Sequence, residues 1–454
     1  MPAEGAAELS EPAGKRVSWV ELYFDLIFVF AVSQTTRIMV TSPNWGGFGR
    51  ALGLFVPLWW TWIGFVVLCN RHYEDQVSQR LFILAGTLPC AVAAVETHSA
   101  AAGHLAAFAF ALAAARLVLA LAFELTARQA RPVAVGYGVS AAVFAASVFV
   151  PSPGRYVLWG LTLIQEAGFL LLRNGELPRE GGQAGRGRGR RGRKRAAASS
   201  GAAAPGAGPA EGVPSEAARP ARPSRADQLR AMLNPPDDPA RRVDAGHLAE
   251  RFGAMIIILL GEVVVAVAGS AVEIPAHDLR YWTGLLSGLV LAAVLWWIYF
   301  TAAAPISEAV LRASGGNPSL AYGLYAGGHL SPAFAVLTLA AGVSLSLTGH
   351  ASQTAAWLIT GGLAAYLLGS RVVFTDQWLR LDTLLRLAVA AVTVCLALLE
   401  PLISSAGVVL VAAVWAAVIA AWVTWRLPGR LQGITADPFS YFRGAQDSGR
   451  PPSM

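Results

Sequence analysis

The chain alternates between long apolar runs and short polar connections, and this alternation predicts its structural class. Runs of about 17 to 25 apolar residues can cross a bilayer as helices. They are continuous and lack the two-residue alternation of membrane barrel strands. We therefore expect an all-α polytopic membrane protein with about twelve transmembrane helices. The expected spans are 20–40, 51–70, 81–97, 104–125, 133–151, 156–172, 252–270, 281–301, 321–347, 355–374, 384–399 and 405–425.

A long polar break separates the first six apolar runs from the last six. It is rich in Gly, Ala, Pro and Arg without hydrophobic periodicity, so it is predicted to be disordered. Lys and Arg concentrate in alternate short loops, which predicts that both termini are cytoplasmic. The expected segments are a polar tail at 1–17, a six-helix membrane half at 18–173, a basic cytoplasmic linker at 174–246, a second six-helix half at 247–426 and a cytoplasmic tail at 427–454.

Composition agrees with a membrane protein, since 55% of the 454 residues are hydrophobic and 14% are charged. The net charge of +7 accompanies a basic run in the linker, which favours anionic lipid headgroups or a simple topology anchor. No aromatic residues are interleaved to stack on bases, which argues against nucleic acid as a partner. The run consists of Arg186, Arg188, Arg190, Arg191, Arg193, Lys194 and Arg195.

Two features recur at corresponding positions of the two halves. Tryptophan pairs lie at 59–60 and 296–297 in the second and eighth spans, and Pro89 and Pro332 lie in the third and ninth. Six spans in each half would make the halves two parallel six-helix repeats, a common plan in transporters. The alternative is that such tryptophans and prolines are ordinary in membrane helices.

Two carboxylates stand one helical turn apart in the first span. Glu21 and Asp25 share one face of the helix, with Thr36 near the same face. Inside a bundle they could bind a cation or exchange protons. Alternatively, Glu21 reaches the cytoplasmic interface beside Arg16, an explanation that fits Asp25 less well.

The seventh span carries a third carboxylate, Glu262, near the expected bilayer midplane. An ionised acid there costs roughly 2.5–3.5 kcal/mol, so a functional role or a buried ion pair is expected. Ala254, Gly261 and Ala268 recur every seven residues beside it and predict a small-residue face turned towards the bundle.

Other ionisable groups in the spans are candidate charge partners. Arg116 could neutralise Glu166 or Glu262, and the result would then be structural. Glu250 and Arg251 are expected to form a local pair at the cytoplasmic interface. His329 could be a proton-relay group or a hydrogen bond between helices.

Signatures of soluble enzymes are missing from the chain. There is no GxxxxGK[ST], GxSxG or HExxH motif, and no GxGxxG following a strand. We expect no enzyme activity, no cofactor and no metal site, although intramembrane enzymes of lipid metabolism often lack these motifs.

Five segments resemble the bacterial low temperature requirement A (LtrA) family of multi-pass membrane proteins. They are ELYFDLIFVFAVSQ, WWTWIGFVVLCNRHYEDQ leading to Arg80, HLAERFGAMIIILLGE, LWWIYF and GHL. The resemblance implies a multi-pass bacterial cytoplasmic membrane protein that is linked by its family name to growth in the cold and whose biochemical activity is not established. Thr301 departs from the family pattern, which often has an acid there. The family positions matched are Glu21, Phe24, Asp25, Asn70, Asp75, Arg80, Glu250, Arg251, Phe252, Gly253, Gly261, Glu262 and His329.

The leading hypothesis is a secondary transporter or ion-translocating protein that uses intramembrane carboxylates. Asp25 and Glu262 would bind or couple the ion, with Glu21 and His329 in support. Membrane lipids and a small cation or solute are the expected partners. The alternatives are a non-transporting membrane factor that supports growth at low temperature through lipid or partner contacts, and an intramembrane lipid-modifying enzyme.

Overall fold

The computed structural model describes residues 17–71, 76–126, 131–172, 235–236, 242–272, 278–372 and 379–436, and among these it is all-helical. The basic run of the linker, Asp75 and most of the predicted tails lie outside these ranges. The first half contains α1 (Trp19–Thr41), α2 (Trp45–Arg71), α3 (Gln76–Ala101), α4 (Ala106–Thr126), α5 (Arg131–Ala146) and α6 (Gly154–Leu172).

The second half contains two π-helical turns and one break. Its elements are α7 (Ala245–Val272), α8 (Leu279–Ile298), the π turn Tyr299–Ala303, α9 (Ala304–Ala313), α10 (Pro318–Ala321), the π turn Tyr322–Gly327, α11 (Leu330–Thr348), α12 (Ser352–Ser370), α13 (Leu379–Cys395) and α14 (Glu400–Ala436). Only Ser404, with a φ of 64°, interrupts the helical geometry of α14.

Nine helical stretches within the described ranges are long and apolar enough to span a membrane. The difference from the predicted count has two physical sources. The predicted spans 156–172 and 355–374 form helices α6 and α12, but polar residues such as Glu166 and Thr360 dilute their apolar character. The predicted spans 384–399 and 405–425 lie in one continuous helical stretch from Thr383 to Ala436. The count of twelve therefore stays a prediction.

The duplicated motifs occupy different surroundings in the two halves. Trp59 is buried, whereas Trp296 and Trp297 are 45% and 48% exposed. Pro89 lies in the interior of α3, whereas Pro332 lies in the first turn of α11. These positions give the repeat no support, and it too stays a prediction.

Helices α1, α7 and α11 contact one another and form the centre of the molecule. Every residue of α11 from Pro332 to Leu347 is buried. Helices α2 and α3 pack against α1, α8 packs against α7, and α12 packs closely against α11. The centre is thus built from both halves of the chain, with α1 supplied by the first half and α7 and α11 by the second.

Neighbouring glycines in α12 offer a test of the close packing between α11 and α12. Gly362→Ala is expected to lower the free energy of unfolding by about 1–3 kcal/mol, because the added Cβ would overpack the interface. That Cβ would lie 3.0 Å from the Ala335 carbonyl oxygen and 3.1 Å from the Leu339 backbone nitrogen. The measurement is SDS-induced unfolding of the purified protein.

Gly361→Ala is the matched control for this prediction. No atom lies within 4 Å of its added Cβ, so this substitution should be neutral or stabilise the helix by up to about 1 kcal/mol. If the two substitutions changed the free energy of unfolding equally, the close approach of the α11 backbone to Gly362 would not explain the effect.

Candidate functional site

Buried charged residues meet where α1 packs against α7. Spacing of four puts Glu21 and Asp25 on one face of α1, and the same spacing puts His247 and Arg251 on one face of α7. Glu21 lies opposite His247, Asp25 lies opposite Arg251, and Ser33 lies further along opposite Glu262. Contacts that advance along both helices in the same order show that the two helices run parallel. An even number of membrane crossings between the start of α1 and the start of α7, such as the six predicted, would give two parallel helices.

Glu21 is held by three groups at the start of this interface. Its Oε2 lies 3.0 Å from His247 Nε2 and 3.6 Å from an Arg251 guanidinium nitrogen. Ser18 donates its hydroxyl to Oε1 at 2.9 Å. The carboxylate is only 1% exposed, so neighbouring protein groups enclose Glu21, and its side chain does not extend into water.

Asp25 is equally buried, one turn further along α1. Its Oδ1 accepts hydrogen bonds from Trp62 Nε1 at 2.8 Å and from Arg251 at 2.9 Å. Its Oδ2, like Nε and one terminal nitrogen of Arg251, has no hydrogen-bond partner among the described residues. The Arg251 guanidinium therefore contacts both carboxylates, while polar atoms of Arg251 and Asp25 remain without hydrogen bonds to the described residues.

A hydrogen-bonded shell orients His247. Its backbone N–H donates to Asp244 Oδ1 at 3.1 Å, and its Nδ1 lies 3.5 Å from the Asn70 amide nitrogen. Because Nε2 faces a carboxylate, the proton belongs on Nε2, which leaves Nδ1 to accept from Asn70. Asn70 also accepts from the Asp244 backbone at 3.4 Å.

Glu262 has different surroundings, well inside α7. The Ser33 hydroxyl donates to its Oε2, and the Thr36 hydroxyl lies beside the same carboxylate. Glu262 is 7% exposed, and no Lys, Arg or His of the described helices forms an ion pair with it. Arg251 is eleven residues away on the same helix, about 16 Å along its axis.

His329 follows the π turn Tyr322–Gly327 and uses both ring nitrogens. Nδ1 donates to the Leu324 carbonyl oxygen at 3.1 Å, and Nε2 accepts from the Tyr299 hydroxyl at 3.0 Å. Tyr299 belongs to the other π turn, and such turns recur at functional sites. The ring of Phe252 lies 4.9 Å from the rings of both His329 and Trp62. Phe252 thus connects His329 to the acidic cluster, the name used here for Glu21, Asp25, His247 and Arg251 with the residues bonded to them.

Arg116 and Glu166 form a separate buried pair between α4 and α6. Arg116 Nε lies 2.7 Å from Glu166 Oε1, and a second guanidinium nitrogen lies 3.2 Å from Oε2. The same guanidinium donates to Thr61 and sits 4.2 Å from the centre of the Phe144 ring. Arg116 therefore neutralises Glu166 rather than Glu262, in a bidentate geometry that is typical of a structural ion pair.

Two expectations for α7 are wrong. Arg251 is buried and pairs with the α1 carboxylates, whereas Glu250 is exposed and accepts a hydrogen bond from the Val17 backbone at 3.2 Å. The small-residue face does not turn inward, because Ala268 is exposed and Gly261 meets open space. Large side chains occupy the inward face instead, among them Phe252, Met255, Ile256, Leu259 and Val263.

The remaining motif residues have varied positions. Phe24 is buried against Phe65, with ring centres 4.7 Å apart, and Gly253 approaches Phe300. Asn70 belongs to the acidic cluster, and Arg80 is exposed near the start of α3. Among the described residues, no three His, Cys, Asp or Glu side chains come together as metal ligands.

Sequence reasoning missed His247, Trp62 and Ser33 as parts of the site. The His247–Arg251 spacing on α7 matches the Glu21–Asp25 spacing on α1, and this match was the available signal. Trp62 and Ser33 carry no comparable signal, because either could be an ordinary residue of a membrane helix.

A family model described as "Bacterial low temperature requirement A protein (LtrA)" matches residues 16–423, nearly the whole chain. No curated protein and no solved structure matches the chain. The matched region includes the acidic cluster, Glu262 and His329. The chain therefore belongs to the bacterial low temperature requirement A family of membrane proteins.

Proposed function

We propose that this protein is a secondary transporter or ion-translocating protein of the bacterial cytoplasmic membrane, with both termini in the cytoplasm. The observation that carries the proposal is Glu262, a carboxylate buried between α1 and α7 with hydroxyl groups beside it and no cationic side chain of the described residues paired with it. A carboxylate in that position must take up a proton or a cation to become neutral.

The energetic argument separates Glu262 from the other buried acids. Glu21, Asp25 and Glu166 each have an Arg or His partner within 3.0 Å. Within the described part of the chain, Glu262 has only hydrogen bonding to offset roughly 2.5–3.5 kcal/mol for an ionised side chain at bilayer depth. A mobile ion bound to Glu262 would supply the positive charge that neutralises its carboxylate.

The acidic cluster fits a coupling role on the cytoplasmic side of Glu262. Its carboxylates follow the same α1/α7 interface, so an ion that leaves Glu262 towards the cytoplasm would meet Asp25 and then Glu21. Unpartnered polar atoms on Asp25 and Arg251 indicate that the contacts of the cluster are incomplete in this conformation. His329 would support the cluster through Phe252.

The test is ion flux in proteoliposomes under an imposed proton or sodium gradient. Native protein should dissipate at least one gradient, and Glu262→Gln should reduce that flux at least tenfold because its side chain cannot carry a charge. Asp25→Asn should also reduce flux, since it removes a coupling carboxylate.

Glu250→Gln is the matched control, because Glu250 lies on the same helix but is exposed. It should leave flux unchanged. Absence of flux with native protein under either gradient, with Glu262→Gln merely less stable, would overturn transport and favour the non-transporting membrane factor.

A further inference from the structure

Three oxygen-bearing side chains converge where the middle of α1 faces α7. Glu262 supplies a carboxylate from α7, and Ser33 and Thr36, three residues apart, supply hydroxyl groups from one face of α1. We propose that Glu262, Ser33 and Thr36 form a binding site for a small monovalent cation of the sodium class. This inference rests on the proposed transport function and names its coupling ion.

The type of ligand selects the type of cation. Carboxylate and hydroxyl oxygens suit hard cations, whereas the soft sulfur and imidazole ligands preferred by transition metals are not among these three residues. The site carries one formal negative charge. A monovalent cation would neutralise it, whereas a divalent cation would leave a net positive charge in a buried position.

The Thr36 hydroxyl is the independent observation. Threonine in a helix commonly bonds to the carbonyl four residues earlier, and neighbouring Thr35 does so with Ala31 at 2.8 Å. Thr36 is 3% exposed, and its Oγ1 lies beside the Glu262 carboxylate without a hydrogen bond of normal geometry to any described residue. A buried oxygen in that position is a ready ligand for a cation held by Glu262.

The carboxylate lies near the edge of the α1/α7 interface, because Ser33 and Gly261 beside it are half-buried. The guanidinium of Arg251 is too far along α7 to compete for this carboxylate.

The experiment compares native full-length protein with Thr36→Val and Thr35→Val. Thr36→Val keeps the side-chain shape and removes the proposed ligand, whereas Thr35→Val removes a hydroxyl already bonded within its helix. Sodium chloride, relative to choline chloride, should raise the melting temperature of native protein and of Thr35→Val, because a ligand of the folded state stabilises it. Thr36→Val should need at least tenfold more sodium for the same shift.

Uptake of ²²Na⁺ into proteoliposomes should be similar for native protein and Thr35→Val and lower for Thr36→Val. Thr36→Ser should restore both the melting shift and the uptake, because it returns the hydroxyl. The Thr36→Ser variant distinguishes loss of a ligand from loss of folding. Equal sodium responses of Thr36→Val and native protein, or proton flux without any sodium response, would overturn the cation site while transport stands. A sodium-dependent melting shift with no flux of either ion would retain the site and overturn transport.

Discussion

Arg251→Ala is expected to lower the free energy of unfolding by about 3–5 kcal/mol, because it leaves buried carboxylates without their cation. The guanidinium lies 2.9 Å from Asp25 and 3.6 Å from Glu21, and all three side chains are about 1% exposed. SDS-induced unfolding of the purified protein measures the loss. The energy reflects uncompensated charge more than any intrinsic attraction of the pair.

A double variant separates these two contributions. Arg251→Gln combined with Asp25→Asn removes one charge of each sign, so it should recover much of the stability that Arg251→Gln alone loses. Glu250→Ala should change stability by no more than about 0.5 kcal/mol, since Glu250 is exposed. A loss below about 1 kcal/mol for Arg251→Ala would show that the acids are already neutral without it.

Arg116→Met is expected to lower the free energy of unfolding by a similar amount, about 3–5 kcal/mol, because Glu166 would remain buried as an unpaired charge. The double variant Arg116→Met with Glu166→Met should be close to native in stability or more stable, since apolar side chains of similar length replace a desolvated pair. Unfolding in SDS measures both, and ion flux should survive in the double variant because this pair lies outside the α1/α7 interface.

The exposed pair of Arg131 and Glu124 provides the comparison for the buried one. Their atoms lie 3.0 Å apart, but the Arg131 side chain is 73% exposed. Arg131→Ala should therefore cost no more than about 1 kcal/mol. Loss of flux in the stable double variant at Arg116 and Glu166 would show that the buried pair has a role in transport.

Hydrophobic patterning predicted the helical membrane class, because it depends on local composition alone. The same patterning could not determine which helices meet. Arg251 was assigned to Glu250, its neighbour in sequence, yet consecutive residues on a helix point about 100° apart and do not face each other. The actual partners, Glu21 and Asp25, lie 230 and 226 residues away, at separations that periodicity cannot detect.

Sequence periodicity also could not predict which face of a helix is buried. Ala254, Gly261 and Ala268 form one stripe on α7, but the pattern does not say whether a neighbouring helix covers it. The structure leaves Ala268 exposed and places bulky residues such as Phe252 inside. Likewise, the π turn that begins at Tyr299 and the one that precedes His329 depend on tertiary packing, and no local sequence motif predicts them.

The pairing of α1 with α7 also constrains how the protein is made. Bacterial ribosomes add about 5–20 residues per second, so His247 emerges roughly 11–45 s after its partner Glu21. During that interval, the first helix of the nascent chain has neither His247 nor Arg251 available. A product truncated before residue 245 would keep the contacts of Asp25 with Trp62 and of Glu21 with Ser18, but both acids would lack the cationic partners that α7 supplies.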